Sequence, residues 1–208
     1  MKQLLHKLFG SRTAQPQAQA RPVIVVSGLP RSGTSMMMKM LEAGGLNVFV
    51  DNLRTPDPDN PEGYYEYERV KQLDKGDTAW IGEAQGQVVK VISALLEHLP
   101  AENRYQVIFM NRNIDEVLAS QKKMLQRRGE ATDKVSDEAM ADLFAKHLAK
   151  TTAWLQAQPN FETLFVDYNR LLADPQPQTH AVNRFLGGAL DEERMATVVN
   201  PDLYRNRA

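Results

Sequence analysis

The chain has 208 residues, of which 42% are hydrophobic and 25% charged, with a net charge of −1 and no cysteine. Without cysteine there is no disulfide framework, no thiol nucleophile and no thiolate zinc site, and near-neutral charge gives no support for a general nucleic-acid binder, whose domains carry a basic excess. A chain of this size builds one full core. One domain over 22–208 is therefore expected, behind a flexible Ala/Gln/Pro-rich tail over 1–21.

The tail carries Lys2, Lys7, Arg12 and Arg21 and no acidic residue. Its short apolar start is broken by His6 and Lys7, so it does not read as a secretory signal, and no run approaches the roughly 20 apolar residues that span a bilayer. A cytoplasmic location is expected, with at most a weak contact of the tail with an anionic membrane surface.

Val23-Ile24-Val25-Val26 is a continuous β-branched run ending at Ser27-Gly28, the pattern of a strand buried on both faces. A glycine loop follows, then strong helix formers over Ser35–Ala43 closed by Gly44-Gly45, then a second short strand over Leu46–Val50. Together these predict a βαβ unit. Residues 51–68 change character: Asp51, Asp57, Asp59, Glu62, Glu66 and Glu68 face Arg54 alone, among Pro56, Pro58, Pro61 and Tyr64, Tyr65, Tyr67. Proline density marks an irregular excursion.

Gln87–Ile92 predicts a strand and Ser93 the start of a short helix ending at Pro100. Gln106–Met110 predicts a third strand, followed by a helix with Asn113 as N-cap and Glu116 completing a capping-box pattern. Ile114, Val117, Leu118, Gln121, Met124 and Leu125 share one face of it. A 3.6-residue period through Met140, Leu143, Phe144, Leu148, Thr151, Trp154 and Leu155 predicts a helix over 137–155. A strand over 163–166 and helices over 176–187 and 190–198 complete the reading. Strands alternating with helices imply an α/β fold, three-layered, with a central parallel sheet flanked by helices.

The informative segment is Gly28-Leu29-Pro30-Arg31-Ser32-Gly33-Thr34-Ser35. It joins a buried strand to a helix N-terminus, where free N–H groups and the helix dipole favour an anion. Gly28 and Gly33 allow close backbone approach, and Ser32, Thr34 and Ser35 bring hydroxyls. The spacing is that of a phosphate-binding loop, but Thr34 stands where a nucleoside triphosphatase has lysine, and Arg31 is the cation inside the loop. Eighty-odd residues on, Arg112 follows a strand, and Ser120 lies two helical turns further, so both can converge on one phosphate.

Pro30-Arg31-Ser32-Gly33-Thr34-Ser35 and Arg112-x7-Ser120 resemble the two cofactor motifs of the sulfotransferase superfamily, whose fold is that of the P-loop nucleotide-binding proteins. Leu171-Leu172-Ala173-Asp174-Pro175 leading to Phe185-Leu186-Gly187 is similar to the family's C-terminal region, and residues 51–86 look closer to bacterial members than to animal cytosolic ones. The resemblance implies binding of 3′-phosphoadenosine 5′-phosphosulfate (PAPS) as co-substrate, with the 5′-phosphosulfate at Gly28 and Arg31–Ser35 and the 3′-phosphate at Arg112 and Ser120. The acceptor it implies is a small molecule, carbohydrate or peptide. The resemblance implies no metal, and His6, His98, His147 and His180 lack metal-ligand spacing.

In sulfuryl transfer, negative charge builds on the bridging oxygen, so nearby cations lower the barrier. Arg31 holds the family's loop-cation position, and Lys90 aligns with the lysine of its K-T-H element. The histidine of that element, the general base of the cytosolic class, is Ile92 here. Other members of the superfamily use a carboxylate placed after the second strand, so the resemblance implies Asp51 as the candidate base, with Glu62 and Glu66 as rivals. Two other readings stay open, a P-loop nucleotide kinase or NTPase, and a non-catalytic nucleotide-binding protein of the same fold. Oligomer formation is left open. The basic stretch Arg104, Arg112, Lys122, Lys123, Arg127 and Arg128 is expected to attract a polyanionic nucleotide, with Arg205 and Arg207 as further candidates for its phosphate.

Overall fold

The computed structural model describes residues 21–57, 60, 63–132 and 135–199. The tail over 1–20, Glu62, Arg205 and Arg207 lie outside the described residues.

Four parallel strands form one sheet in the order β2-β1-β3-β4: β1 (Val23–Gly28), β2 (Val88–Lys90), β3 (Tyr105–Asn111) and β4 (Phe161–Asp167). The register sets Val26 beside Lys90 on one side and Ile108 on the other, with Ile108 beside Leu164. All six residues of β1 are buried, which explains its unbroken apolar run: both faces are covered. From β1 the chain passes to β2 on one side, and β3 lies on the other. This divergence opens a crevice at the carboxyl end of β1, where ligands of open α/β sheets bind.

Helices cover both faces. On one face, Met37, Met38, Met40 and Leu41 of α1 (Thr34–Ala43) pack with Val182 of α5 (Pro175–Phe185) and Met195 of α6 (Glu192–Thr197). On the other, two 3-10 helices (Glu68–Lys75 and Ser93–His98) and α3 (Asp137–Ala157) enclose Trp80, Tyr105, Phe109, Leu155 and Phe161. The methionines after the loop are therefore core filler, a role suited to their flexible side chains. No helix among the described residues is long and apolar enough to cross a membrane.

Several boundaries differ from expectation. Leu46–Val50 is not a strand. It makes one parallel bridge, Val48 to Val88, with Asn47 O and Phe49 N–H bonded to Val88 at 2.9 and 2.7 Å. Its residues are half-exposed, and the chain turns away at Asp51, so the regular ladder begins only at β2. The strand beside β1 thus comes from some forty residues later than the βαβ reading implied. A helix not anticipated, α4 (Tyr168–Ala173), directly follows β4, capped by Asp167, whose carboxylate accepts from Arg170 N–H at 2.8 Å.

α2 spans Ile114–Arg127 with Asn113 as N-cap, its side chain accepting from Asp115 N–H at 2.8 Å, as expected. Glu116, however, extends to Arg112 and Asn169. On α3, Thr151 and Leu155 are buried but Leu143 is 55% exposed, since the helix is covered mainly toward its C-terminal half. Its N-cap is Ser136, which accepts from Ala139 N–H at 3.2 Å ahead of Asp137 and Glu138 in the first turn. Ser136→Ala is expected to cost about 1 kcal/mol in chemical denaturation, the typical worth of such a cap.

Candidate functional site

The carboxyl ends of β1, β2 and β3 deliver three segments to the crevice. The loop Leu29–Gly33 leaves β1 and enters α1 at Gly33, whose φ of +97° suits glycine; no side chain caps the helix and no acidic residue occupies its first turn. A Cβ on Gly33 would lie 2.6 Å from Tyr168 Cε2, and one on Gly28 would lie 2.5 Å from Ser32 Oγ and 2.7 Å from Met110 O. Both glycines are thus required by close approach, the first to α4 and the second to β3. Arg31, at the loop apex, adopts a left-handed φ of +73°, a strained state that persists only when the surroundings enforce it. Ser32 is buried and its Oγ has no hydrogen-bond partner among the described residues. An orphaned hydroxyl of this kind costs free energy unless something binds to it.

The loop and the second motif meet at Arg31. Arg31 Nε donates to Ser120 Oγ at 2.9 Å, and Arg112 NH1 donates to the Arg31 carbonyl at 3.0 Å. Arg112 Nε donates to Glu116 Oε2 at 2.9 Å, the guanidinium lies 4.5 Å over the Tyr168 ring, and Asn169 Nδ2 donates to Glu116 Oε1 at 2.8 Å. The Arg112 and Glu116 side chains are 7% and 4% exposed, so this pair is shielded from screening by water.

Lys90 closes the other side. Its side chain is 8% exposed, and it does not reach into solvent as an edge lysine would. Nζ donates to the Tyr64 carbonyl, lies 3.4 Å from Ser35 Oγ and 3.7 Å from Glu66 Oε1. Burial pulls its pKa down to about 8, against the opposing pull of Glu66. A lysine from the neighbouring strand therefore stands beside the loop that lacks one at Thr34. Ile92, where the resemblance implies histidine, is 38% exposed just beyond β2.

The acidic excursion folds over this end of the crevice. Asn60 Nδ2 donates to Ser35 Oγ at 3.0 Å, and Ser35 Oγ donates to Tyr64 O at 3.3 Å. The tyrosines hold the segment down: Tyr64 OH donates to Asp57 at 2.6 Å beneath the Arg54 guanidinium, and Tyr65 OH donates to Glu42 at 2.6 Å. Tyr67 joins Phe49 and Trp80 in an aromatic cluster, its ring centroid 4.6 and 5.5 Å from theirs.

The candidate carboxylates are arranged differently from one another. Asp51 Oδ1 accepts from Leu53 N–H at 3.1 Å and Oδ2 from Glu68 N–H at 2.6 Å, the pattern of a loop brace. Glu66 sits among Arg54, Lys71 and Lys90 at 3.2, 3.5 and 3.7 Å. The basic stretch is divided: Arg104 precedes β3 at the amino end of the sheet, opposite the crevice, and pairs with Glu162, while Arg112 lies in the site. Tyr168, Asn169 and the carboxylate of Glu116 are site features that sequence reasoning missed. Glu116 was singled out only as part of a capping box, and nothing in the local pattern marks Tyr168 or Asn169.

A parallel sheet with a glycine-flanked loop at its switch point, contacted there by Arg112 through the Arg31 carbonyl, defines the class as an open α/β protein with its crevice at the carboxyl end of β1. The chain belongs to the sulfotransferase domain family, whose model matches residues 21–201. Among solved structures it is similar to sulfotransferase STF1 from Mycobacterium tuberculosis H37Rv, at 19% identity and TM-score 0.54, covering 86% of this chain and 71% of that one. It is also similar to the sulfotransferase domain of the Synechococcus PCC 7002 olefin synthase, at 15% identity and TM-score 0.49, covering 93% and 86%. A third similarity is to a retinol dehydratase crystallised with androsterone and the inactive cofactor PAP, at 18% identity and TM-score 0.47, covering 89% and 65%. No protein of curated function matches the chain in sequence.

Proposed function

We propose that this protein is a PAPS-dependent sulfotransferase that moves a sulfuryl group to a hydroxyl or amine of a small molecule, carbohydrate or peptide. The observation that carries this reading is the meeting of the two motifs at Arg31, where Ser120 Oγ and an Arg112 N–H bond the side chain and the carbonyl of one loop residue. Two anion sites a short distance apart suit a nucleotide with phosphates on the 3′ and 5′ oxygens of one ribose.

The residues present fit such a ligand. Gly28 and Gly33 bring no Cβ to the two ends of the loop, the buried Ser32 hydroxyl has no hydrogen-bond partner among the described residues, and the first turn of α1 carries no acidic residue. Ser32, Gly33, Thr34 and Ser35 with Arg31 and Lys90 would hold the 5′-phosphosulfate, and Arg112 with Ser120 the 3′-phosphate. PAPS, when bound, supplies an activated sulfuryl group with a phosphate as leaving group. The protein's contribution is to fix cations where negative charge develops on the bridging oxygen, Arg31 from the loop and Lys90 from β2.

For the acceptor proton, Glu66 is the carboxylate retained: it lies in the same cluster as Lys90 and Ser35, whereas the Asp51 oxygens are engaged by backbone amides. The segment 51–68, which folds over this end of the crevice, is the surface proposed to meet the acceptor, and Tyr64, Tyr65 and Tyr67 hold it in place.

Calorimetric titration with 3′-phosphoadenosine 5′-phosphate tests the reading. Binding is expected without magnesium and is expected to weaken about 10- to 100-fold in Arg112→Ala, the loss of one or two charge-assisted hydrogen bonds. Binding to magnesium-ATP alone would overturn it in favour of a kinase or NTPase.

A further inference from the structure

A buried carboxylate in an anion-binding crevice needs an explanation, because a negative charge there opposes the ligand. Glu116 is 4% exposed and one helical turn from Ser120, on the face of α2 that meets the loop. Its two oxygens are divided: Oε2 accepts from Arg112 Nε, and Oε1 accepts from Asn169 Nδ2, 53 residues further along the chain. Asn169 stands in the first turn of α4, next to Tyr168, whose ring underlies the Arg112 guanidinium and abuts Gly33.

Arg112 is thus held on two sides. Glu116 fixes the Nε side of the fork and Tyr168 fixes its plane, so NH1 is aimed at the carbonyl of Arg31, the residue held at φ +73°. The rigid fork of arginine makes this orientation decisive, since a rotated guanidinium presents different donors to a phosphate. Asn169 in turn stops the Glu116 carboxylate from rotating away.

Resting on the assignment of Arg112 to a 3′-phosphate, we propose that Glu116 and Asn169 are positioning residues for that phosphate: a carboxylate–amide relay from α4 through α2 sets the orientation of Arg112 and with it the discrimination for a 3′-phosphorylated nucleotide. Neither touches the ligand. Their effect is exerted on how much better the protein binds a nucleotide with the 3′-phosphate than one without.

The experiment compares 3′-phosphoadenosine 5′-phosphate with adenosine 5′-phosphate by calorimetry, in the full chain and in Glu116→Gln, Asn169→Ala and the double variant. Glu116→Gln keeps the shape and removes the charge, and Asn169→Ala leaves the Arg112–Glu116 pair intact. The ratio of the two dissociation constants is expected to fall about tenfold in each single variant, with affinity for adenosine 5′-phosphate unchanged. The double variant should be no worse than Glu116→Gln alone, because residues acting through one another are not additive. A merely structural role would weaken both nucleotides alike, and that outcome, or an unchanged ratio in both single variants, overturns the inference while leaving the sulfotransferase reading intact. A wild-type chain that does not distinguish the two nucleotides overturns both.

Discussion

Lys90→Met is expected to lower kcat/KM for sulfuryl transfer about 100- to 1,000-fold, the usual cost of removing one charge-stabilising group from a preorganised site. The side chain is 8% exposed and stands 3.4 Å from Ser35 Oγ, at the first turn of α1. Methionine keeps the length of the stem and removes only the cation. The effect should carry a pH signature. Burial pulls the Lys90 pKa down from 10.5 to about 8, so the active, protonated form is lost as pH rises through that value. The kcat/KM profile of the wild-type protein should fall above about pH 8, since it reports the free enzyme. The kcat profile should fall at higher pH, because a bound polyanion favours the charged amine.

Stability should move oppositely to activity. Between about pH 8 and the ordinary lysine value of 10.5 the unfolded chain binds the Lys90 proton and the folded chain does not. Folding is therefore favoured by rising pH in that window, and the unfavourable contribution is fully present below it. Thermal unfolding of Lys90→Met at neutral pH should be no easier than that of the wild type. Undiminished turnover in Lys90→Met, or an alkaline limb that survives the substitution, would remove Lys90 from the reaction.

Gly33→Ala is expected to abolish nucleotide binding and to destabilise the fold by about 2–3 kcal/mol. Two costs combine. A left-handed φ of +97° is unfavourable for alanine by roughly 1–2 kcal/mol, and the new methyl would sit 2.6 Å from Tyr168 Cε2 and closer still to Cδ2. Tyr168 has little room to yield, being buried with Arg112 over its ring. The loop must therefore shift, and with it Ser32 and Arg31. Chemical denaturation and calorimetric titration of the variant measure the two losses; wild-type affinity in Gly33→Ala would show that the loop is not the binding element. Glycines with no neighbour at the Cβ position, such as Gly129 and Gly187, carry only the backbone cost.

Much of this arrangement was legible from sequence because it rests on local rules. The β-branched run of β1, the glycines of the loop and the N-cap at Asn113 each determine their own segment, and each stands as expected. The regions that misled were those where local pattern and tertiary context part. Leu46–Val50 is apolar enough for a strand, yet only Val48 finds a ladder partner. Glu116 has the spacing of a capping box, yet a buried arginine four residues back takes its carboxylate. The tyrosines of the acidic segment carry no local signal of their partners, which the fold supplies: Tyr64, Tyr65 and Tyr67 are engaged by Asp57, Glu42 and the Phe49–Trp80 cluster.

The sequence by itself determined the α/β class, the strand–glycine loop–helix unit at β1 and the helix that follows β3, because hydrophobic period, glycine spacing and capping are properties of neighbouring residues. Only the tertiary structure decided that Lys90 stands beside Ser35, that Arg31 is the meeting point of both motifs, and that Glu66 belongs with Lys90 while Asp51 braces a loop. Those are relations between side chains tens of residues apart. They follow from the strand order β2-β1-β3-β4, which places the carboxyl ends of separate strands around one crevice. No local propensity encodes that order.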